Sequence, residues 1–260
     1  MTQSLHPAAQ KGFSSAAELY QQVRPSYPPD IVHWLQDQLQ LDEKSQVIDL
    51  GSGTGKFLPY LQHITKHITA IEPIQEMLAQ LQSAYPDVQT LQASSDQLPL
   101  TKHSLDAVIC AQSFHWFANI ETLQQIHHVL KPTGHLALIW NQRNIQVDWV
   151  KALADVIAPL EGNTPRYHSG QWKKVFEQQT LFQLDHVQTF QQAHIGTVEN
   201  VVSKRLLSSS FIAAMPEHEQ QQLKAQFEQI VFKYTGKQPQ DEIAFPYLTY
   251  AYDFKKIDSQ

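Results

Sequence analysis

Residues 47–57 read VIDLGSGTGKF, in which an apolar, β-branched run is followed by glycines at three alternating positions. The run has the composition of a buried strand, and the glycines fit a tight turn whose backbone approaches a ligand closely. Asp49 stands near the end of the strand, where its carboxylate can receive a cationic group or organise the turn. The segment therefore predicts a strand, a ligand-binding turn and a helix, in that order.

Two phosphate-binding loops do not fit this turn. A P-loop needs glycine where Leu50 stands and serine or threonine where Phe57 stands, so Lys56 is not a phosphate lysine. A dinucleotide loop needs its third glycine at the position of Lys56. A tight turn that binds no ligand remains an alternative, although two glycines would be enough for it.

Short apolar runs alternate with amphipathic stretches between residues 46 and 160. This alternation is typical of parallel strands joined by crossover helices, so we expect an α/β fold. Strands are predicted at Gln46–Leu50, Ile68–Glu72, Val88–Gln92, Leu105–Gln112 and Gly134–Asn141, and helices at Lys56–Gln62, Ile74–Ala84, Ile120–Leu130 and Val147–Leu160.

The regular alternation weakens after Gly162. We predict a strand over Leu181–Phe190, an interrupted helical segment over Val198–Met215, an amphipathic helix over Glu217–Tyr234 and a closing strand over Ala244–Phe254. No polar linker divides the chain, so we expect a single domain over residues 1–260. Within it we expect a lid segment over residues 1–40, a cofactor-binding core over residues 41–145, and cap helices with closing strands over residues 146–260.

The composition, with 42% hydrophobic and 17% charged residues, is that of a globular protein. A formal net charge of -6 argues against DNA or RNA as a partner, because nucleic-acid binding depends on clustered lysine and arginine. No apolar run is long enough to cross a bilayer and no signal peptide is evident, so we expect a cytoplasmic protein with no membrane partner. The single Cys110 excludes an intramolecular disulfide, and no histidine group has the surroundings of a metal site, so no metal is expected.

The pattern from Asp49 through Gly55 resembles motif I of the class I methyltransferases. The resemblance implies that the loop binds S-adenosylmethionine, with close backbone approach to its methionine and ribose parts. It also implies a doubly wound, seven-stranded sheet in the order 3-2-1-4-5-7-6, with the last strand antiparallel, and a helical cap. The cofactor-binding residues that it implies here are Asp49, Gly51, Ser52, Gly53 and Gly55.

Two later strand ends extend this interpretation. Glu72, followed by Pro73, lies about 20 residues beyond the loop, where a carboxylate can accept from both ribose hydroxyls. Alternatively, Glu72 only faces the N-terminus of the next helix. The segment Ser94-Ser95-Asp96 resembles the part of the family that lines the adenine pocket, although the family often has an acid where this chain has Ser94. Asp96 could equally cap a short helix.

The predicted fourth strand runs into AQSFHW at residues 111–116. Ligands lie outside the carboxyl ends of strands in open α/β sheets, so Gln112, Ser113 and Trp116 should border the methyl group. The run resembles a bacterial and fungal small-molecule branch of the methyltransferases with a type 11 methyltransferase domain, which includes relatives of trans-aconitate methyltransferase. That branch tends to begin with a pattern, taken here as a lid, that Tyr20, Arg24, Pro25, Tyr27 and Pro28 match. It tends to close with a pattern that Pro246, Tyr247 and Thr249 match, while the last tyrosine, Tyr252, lies one place later than in that pattern.

Methyl transfer to an oxygen needs a base only if the acceptor starts protonated. His115 is the best candidate base, because the ordinary histidine pKa lies near neutrality and the residue should stand at the mouth of the site. Alternatively, it packs and hydrogen-bonds within the site. A carboxylate acceptor would need no base but would favour a guanidinium fork, for which Arg143 is the preferred candidate because it follows the fifth strand. The other candidates are Arg24, Arg166 and Arg205.

These observations predict an S-adenosylmethionine-dependent methyltransferase that acts on an oxygen of a small molecule, either a carboxylate or a hydroxyl, as a monomer or homodimer. Two other functions stay open. One is an NAD-dependent oxidoreductase, which the lysine in the loop disfavours. The other is a regulatory protein that binds the cofactor without turnover.

Overall fold

Residues 23–257 are described by a computed structural model. Seven strands form one sheet: β1 (Val47–Leu50), β2 (Ile68–Ile71), β3 (Gln89–Leu91), β4 (Leu105–Ala111), β5 (Leu130–Arg143), β6 (Phe182–Thr197) and β7 (Glu242–Lys256). Their order in the sheet is β3-β2-β1-β4-β5-β7-β6, and β7 is antiparallel to both of its neighbours. The predicted strand order and the antiparallel closing strand are thereby confirmed.

The central strands are buried on both faces, as parallel sheets require. All four residues of β1 are buried, with Val47 in one hydrophobic core and Ile48 and Leu50 in another. Because successive side chains of a strand point to opposite faces, these two cores lie on opposite sides of the sheet. The helices are α1 (Ile31–Asp37), α2 (Leu58–Gln62), α3 (Gln75–Ala84), α4 (Ile120–Val129), α5 (Asp148–Ile157), α6 (Arg205–Leu207), α7 (Ser210–Ala213) and α8 (Glu217–Thr235).

Three strands are longer than the sequence predicted. β6 and β7 pair along their whole length, from Phe182 opposite Lys256 to Thr197 opposite Glu242. The polar second half of β6 gives no apolar alternation, so only its pairing with β7 defines it as a strand. β5 begins at Leu130, which pairs with Leu105 of β4, instead of at the predicted Gly134.

The C-terminal half packs on the end of the sheet. A π-helical turn covers Glu199–Lys204, α6 follows it directly, and α7 begins after an extended Ser209, which is the interruption expected in this segment. A third hydrophobic core joins these turns to α5, α8 and the start of β7, where Phe245 and Tyr247 are buried. Within residues 23–257, no helix has the length and apolar character needed to span a bilayer.

A buried polar network ties β5, β6 and β7 together next to this core. The amide oxygen of Asn141 on β5 accepts from the Thr249 hydroxyl at 2.6 Å and from the Gln192 amide at 2.8 Å. The Asn141 amide nitrogen donates to the Ser26 carbonyl at 3.0 Å. The network therefore sets the position of Asn141 at the carboxyl end of β5.

The Thr249 hydroxyl should contribute measurably to stability because it is fully buried. We expect Thr249→Val to lower the free energy of unfolding by about 1–3 kcal/mol, since the shape is kept and two hydrogen bonds are lost, one donated to Asn141 and one accepted from the Gln192 amide. Urea denaturation measures the change. The matched control is Thr189→Val at an exposed position of β6, which should leave stability unaltered. Equal effects of the two substitutions would contradict the role of the network.

Candidate active site

The carboxyl ends of β1, β2 and β4 border a cleft of about 940 Å³, here called the loop cleft. This edge is where ligands bind in open α/β sheets. The glycine turn, the N-terminal segment and the cap all contribute to its walls. The lining residues are Arg24, Pro25, Tyr27, Asp49, Gly51, Ser52, Gly53, Thr54, Lys56, Phe57, Glu72, Pro73, Ile74, Met77, Ala111, Gln112, Ser113, Trp116, Phe117, Asn141 and Arg205.

Two glycines of the turn are required for different reasons. A Cβ atom on Gly51 would lie 2.6 Å from the Cβ of Ser113, so this glycine lets the turn pack against the end of β4. Gly53 has a φ of 56°, in the left-handed region, and a Cβ there would meet only the Met77 sulfur at 4.0 Å. The backbone at Gly53 thus faces open space in the cleft, where a ligand can approach it closely.

Glu72 holds the turn to the end of β2. Its carboxylate accepts from the Gly53 N–H at 2.9 Å and from the Ile74 N–H at 3.0 Å. The side chain is buried, which raises the pKa of Glu72 above its usual range, while the two hydrogen bonds from Ile74 and Gly53 act in the opposite direction. The residue therefore faces the start of α3 and also borders the cleft, and its binding of ribose stays a prediction.

The Asp49 carboxyl group is the part of the loop cleft that most clearly favours a polar ligand. Both of its carboxylate oxygens are buried, and neither has a hydrogen-bond partner among residues 23–257. Burial, followed by the nearby charge of Glu72, raises the pKa of Asp49 to about 8. A buried carboxylate without a partner is costly, so this position favours a ligand that brings a cationic or hydrogen-bond-donating group.

Two hydroxyl groups of the glycine turn add to this pattern. The Ser52 and Thr54 side-chain oxygens are buried and lack hydrogen-bond partners within the described part of the chain. Buried polar groups in proteins are normally satisfied. The turn therefore presents several polar groups that a polar ligand could satisfy.

The end of β4 forms the opposite wall. The Ser113 hydroxyl donates to the Leu50 carbonyl at 2.6 Å and so joins β4 to the glycine turn. Gln112 has a φ of 62°, an uncommon conformation for a residue with a side chain, and its amide donates to the Asn141 carbonyl at 3.2 Å. Such strained positions are frequent at binding sites, and Gln112 separates the loop cleft from a second cavity.

Several predicted cofactor residues lie outside the lining of the cleft. The Ser94 hydroxyl donates to the Asp96 carboxylate at 2.6 Å, and the Ser95 hydroxyl bonds to Thr122 of α4 at 2.9 Å. Gly55 faces the Tyr85 ring, where a Cβ would be 2.8 Å away, so its place is in packing. The adenine role of residues 94–96 stays a prediction.

Some of the predicted lid residues lie at the loop cleft. Arg24, Tyr27 and Trp116 line it, and the buried Tyr27 ring packs edge-on against Phe57 at 4.9 Å. The backbone N–H of Tyr27 donates to the Tyr60 hydroxyl at 2.9 Å, which fixes the segment over α2. Tyr20 lies outside the described residues.

The second cavity, here called the arginine cavity, has a volume of about 560 Å³ and adjoins the loop cleft. The sequence contains four arginines, and all four line it. Arg24 and Arg205 border both spaces, whereas Arg143 and Arg166 line the arginine cavity and not the cleft. The complete lining is Arg24, Gln112, His115, Trp140, Asn141, Gln142, Arg143, Ile157, Glu161, Arg166, Tyr167, His168, Arg205, Ser209, Phe211 and Tyr247.

The described residues bring little negative charge to this cavity. Among the described residues, Glu161 is the one acid that lines the cavity, and it is paired with His168 at 2.7 Å. Burial lowers the pKa of Arg143, as does Arg205, while Tyr247 and Glu161 oppose the change. Buried Nε and Nη1 atoms of Arg205 have no hydrogen-bond partner within residues 23–257. The cavity is therefore suited to an anion.

His115 lies at the same cavity, half-buried in a short 3₁₀ turn after β4. Its Nδ1 atom accepts a hydrogen bond from the Trp140 indole at 3.1 Å. Burial, followed by the charges of Arg166, Arg24 and His168, lowers the pKa of His115 to about 3. The imidazole is therefore neutral near physiological pH.

Some residues at the site carried no signal in the sequence. Ile74 and Met77 line the loop cleft from α3, and their apolar character matches any core helix. Tyr247 reaches the arginine cavity from β7, with a buried hydroxyl that lacks a partner among residues 23–257. Asn141 is a polar residue at the end of a buried strand. This is the one sequence feature that could have indicated a residue lining both the loop cleft and the arginine cavity. The described His, Cys, Asp and Glu side chains form no group suited to a metal ion.

Comparisons with known proteins point to one family. The methyltransferase-domain family matches residues 48–138. An uncharacterized methyltransferase-like protein of Schizosaccharomyces pombe is 34% identical over 247 residues, which cover 95% of this chain and 96% of the relative.

Two solved structures show the same fold. A protein from Anaeromyxobacter dehalogenans assigned as a type II methyltransferase superposes with a TM-score of 0.67 at 18% identity, covering 90% of this chain and 97% of its own. The cyclase SpnF superposes with a TM-score of 0.58 at 14% identity, covering 97% of this chain and 96% of its own. Since one fold carries both names, the chemistry has to be argued from the site.

The pKa of Asp49 has a consequence for stability. Between the ordinary carboxyl pKa and about 8, the folded chain holds a proton at Asp49 that the unfolded chain has lost. The free energy of unfolding should therefore fall as the pH rises through this range, and the raised pKa of Glu72 acts in the same direction. We expect Asp49→Asn to reduce this fall.

Urea denaturation at about pH 5 and about pH 8 measures the difference between the two proteins. The control is Asp87→Asn at an exposed position, which should reproduce the pH dependence of the wild type. A wild-type protein that is equally stable at both pH values, or an Asp49→Asn variant with the full wild-type fall, would contradict the assignment.

Proposed function

The chain belongs to the methyltransferase family, and from this we propose that it transfers the methyl group of S-adenosylmethionine to a carboxylate oxygen of a small anionic acceptor. The loop cleft would hold the methyl donor and the arginine cavity would hold the acceptor. Gln112 and Asn141 line both spaces, so the two ligands would meet at this shared wall.

The residues of the loop cleft fit this donor. S-adenosylmethionine carries an ammonium group, ribose hydroxyls and a positive sulfonium, all of which favour nearby acids or hydrogen-bond acceptors. Asp49 offers two buried oxygens without partners, and Glu72 offers a carboxylate already anchored beside the glycine turn. The open backbone at Gly53 allows close approach. Once a cationic group pairs with Asp49, the ionised form of that carboxyl is favoured.

The convergence of all four arginines on one cavity is the observation that supports an anionic acceptor. The chain as a whole carries a formal charge of -6, whereas the lining of this cavity contains all four arginines and, among the described residues, one acid. Planar guanidiniums match carboxylates in two-point hydrogen bonds. Arg166 is further held by the Phe211 ring, 4.7 Å from its guanidinium carbon.

A carboxylate acceptor also suits the chemistry. When bound, S-adenosylmethionine supplies a methyl group on a positive sulfur, and an acceptor oxygen that takes it leaves a neutral thioether behind. An ionised carboxylate has no proton to lose, so no protein base is required. The role of the chain is to orient the acceptor oxygen through the arginines and to keep water out, since positioning and desolvation supply much of the rate in such displacements.

Donor binding is tested by placing a methyl group where the donor should lie. Gly53→Ala adds a Cβ facing the cleft, and we expect it to weaken binding of S-adenosylmethionine and of S-adenosylhomocysteine at least about tenfold in calorimetry, because the close backbone approach is lost. Gly236→Ala is the matched control. Gly236 also has a positive φ, of 70°, but lies at the end of α8 with open space around it.

Both variants should lose a similar stability of about 1–2 kcal/mol, because both force a side chain into the left-handed region. Gly236→Ala should keep wild-type affinity for the donor. If wild-type protein takes up neither S-adenosylmethionine nor its demethylated product, and takes up NADH instead, the proposed function is wrong and an oxidoreductase is favoured.

Acceptor binding is tested with acetate, succinate and citrate, using donor labelled in its methyl group. Methyl esters release methanol in alkali, whereas methyl ethers and methylamines do not, so base-labile label identifies carboxylate methylation. We expect Arg143→Ala and Arg166→Ala to raise the KM for the accepted carboxylate about 10- to 100-fold, the range for loss of a hydrogen bond to a charged group.

Because neither arginine lines the loop cleft, donor affinity should stay within about twofold of the wild-type value, which also shows that the variants fold. Lys151→Ala, at an exposed position of α5, is the control for loss of a positive charge. Unchanged KM values in both arginine variants would exclude the arginine cavity as the acceptor site. Tight donor binding without transfer to carboxylates, phenols or amines would favour a regulatory protein.

A further inference from the structure

We propose that Trp140 holds His115 in the tautomer protonated at Nε2, and that this N–H donates a hydrogen bond to a carboxylate oxygen of the acceptor. His115 would then recognise the acceptor and would take no proton during methyl transfer. The inference rests on the proposed function, because it assumes an anionic acceptor in the arginine cavity.

The hydrogen bond from Trp140 determines which ring nitrogen carries the proton. The indole Nε1–H can only donate, and it lies 3.1 Å from Nδ1 of His115. Nδ1 must therefore present its lone pair, which leaves the proton of the neutral ring on Nε2. In histidines, the hydrogen bond made by one ring nitrogen commonly determines whether the other nitrogen carries the proton.

Trp140 cannot easily turn away from His115. Its side chain is fully buried, and its ring packs against Trp172 with 4.6 Å between centroids and against Tyr167 with 5.0 Å. It belongs to β5, which is paired on both sides. The indole N–H is thus a rigid donor, and rotation of the ring would disrupt the core on this face of the sheet.

The same bond opposes a base role for His115. To accept a proton at Nε2, the neutral ring would first have to carry its proton on Nδ1, where it would face the Trp140 N–H as a second donor. To accept a proton at Nδ1, it would have to break the bond. A cationic ring would also stand among Arg24, Arg166 and His168, which raise the energy of a further positive charge.

His115 lines the arginine cavity, where a bound anion can accept a hydrogen bond from its Nε2–H. Within residues 23–257, the hydrogen bond found at the His115 ring is the one that Nδ1 accepts from Trp140. The guanidiniums around it only donate, and the Glu161 carboxylate is paired with His168. An oxygen of a bound carboxylate would accept from Nε2 as well as from the arginines, and so complete the site.

The tautomer of His115 can be measured in the absence of a methyl acceptor. In protein labelled with ¹⁵N at histidine, the His115 ring is identified as the signal missing in His115→Gln. We expect a protonated Nε2 and an unprotonated Nδ1 in wild-type protein, with no further protonation between about pH 5 and about pH 8. Trp140→Phe, which removes the N–H and keeps an aromatic ring, should give a mixture of tautomers. A proton on Nδ1 in the wild type, or titration near pH 6.5, would overturn the proposal.

The donor role is tested with two substitutions, measured with succinate and citrate. Glutamine places an N–H close to the position of Nε2 but cannot act as a base. His115→Ala should raise the KM for the carboxylate about 10- to 100-fold, and His115→Gln should recover most of that loss with kcat within about threefold of wild type. The control is His128→Ala, an exposed histidine on α4.

A base role predicts a different pattern. Glutamine and alanine would then be equally defective, with kcat lowered about 10²- to 10⁴-fold, and that result would overturn the proposal. If wild-type protein methylates no carboxylate, the proposed function fails. A tautomer that changes on Trp140→Phe would still support the inference that Trp140 determines which nitrogen of His115 carries the proton.

Discussion

The hydrogen bond from the Gly53 N–H to the Glu72 carboxylate joins the ends of two parallel strands, and the site is built around it. It exists because β1 and β2 pair in a register that sets Leu50 opposite Ile71. The Ile71 carbonyl then accepts from the first two N–H groups of the glycine turn, at 2.8 and 3.1 Å. With its backbone anchored in this way, the turn can present Asp49 and an open Gly53 to the cleft.

Two neighbouring spaces follow from this arrangement, and Arg24 and Arg205 line both of them. Buried carboxylates of Asp49 and Glu72 face the loop cleft, while four arginines line the adjoining cavity. The strained Gln112 stands between them. A cationic donor and an anionic acceptor would each be stabilised on its own side, since electrostatic interactions are strong where water is excluded.

Much of the cleft could be predicted from the sequence because its residues stand at the ends of strands. The glycine turn, Glu72 and the end of β4 each sit at a strand terminus, and strand termini of parallel sheets meet at one edge. The role of His115 could not be predicted in this way. The proposed tautomer of His115 depends on Trp140, which is 25 residues away and becomes a neighbour only when β4 and β5 pair. The polar half of β6 was missed for a related reason, since its partner β7 begins 45 residues after it ends.

The sequence by itself predicted the alternation of strands and helices and the glycine turn of the loop cleft, because local periodicity and a short glycine pattern specify both. The strand order came from the family resemblance that this pattern carries. Only the tertiary structure decided where the arginines go. They arrive from the N-terminal segment, the end of β5, the loop after α5 and the start of α6, and nothing in their spacing relates them. Convergence of distant segments is a property of packing between cap and sheet, and this packing brings four separate arginine side chains to one cavity.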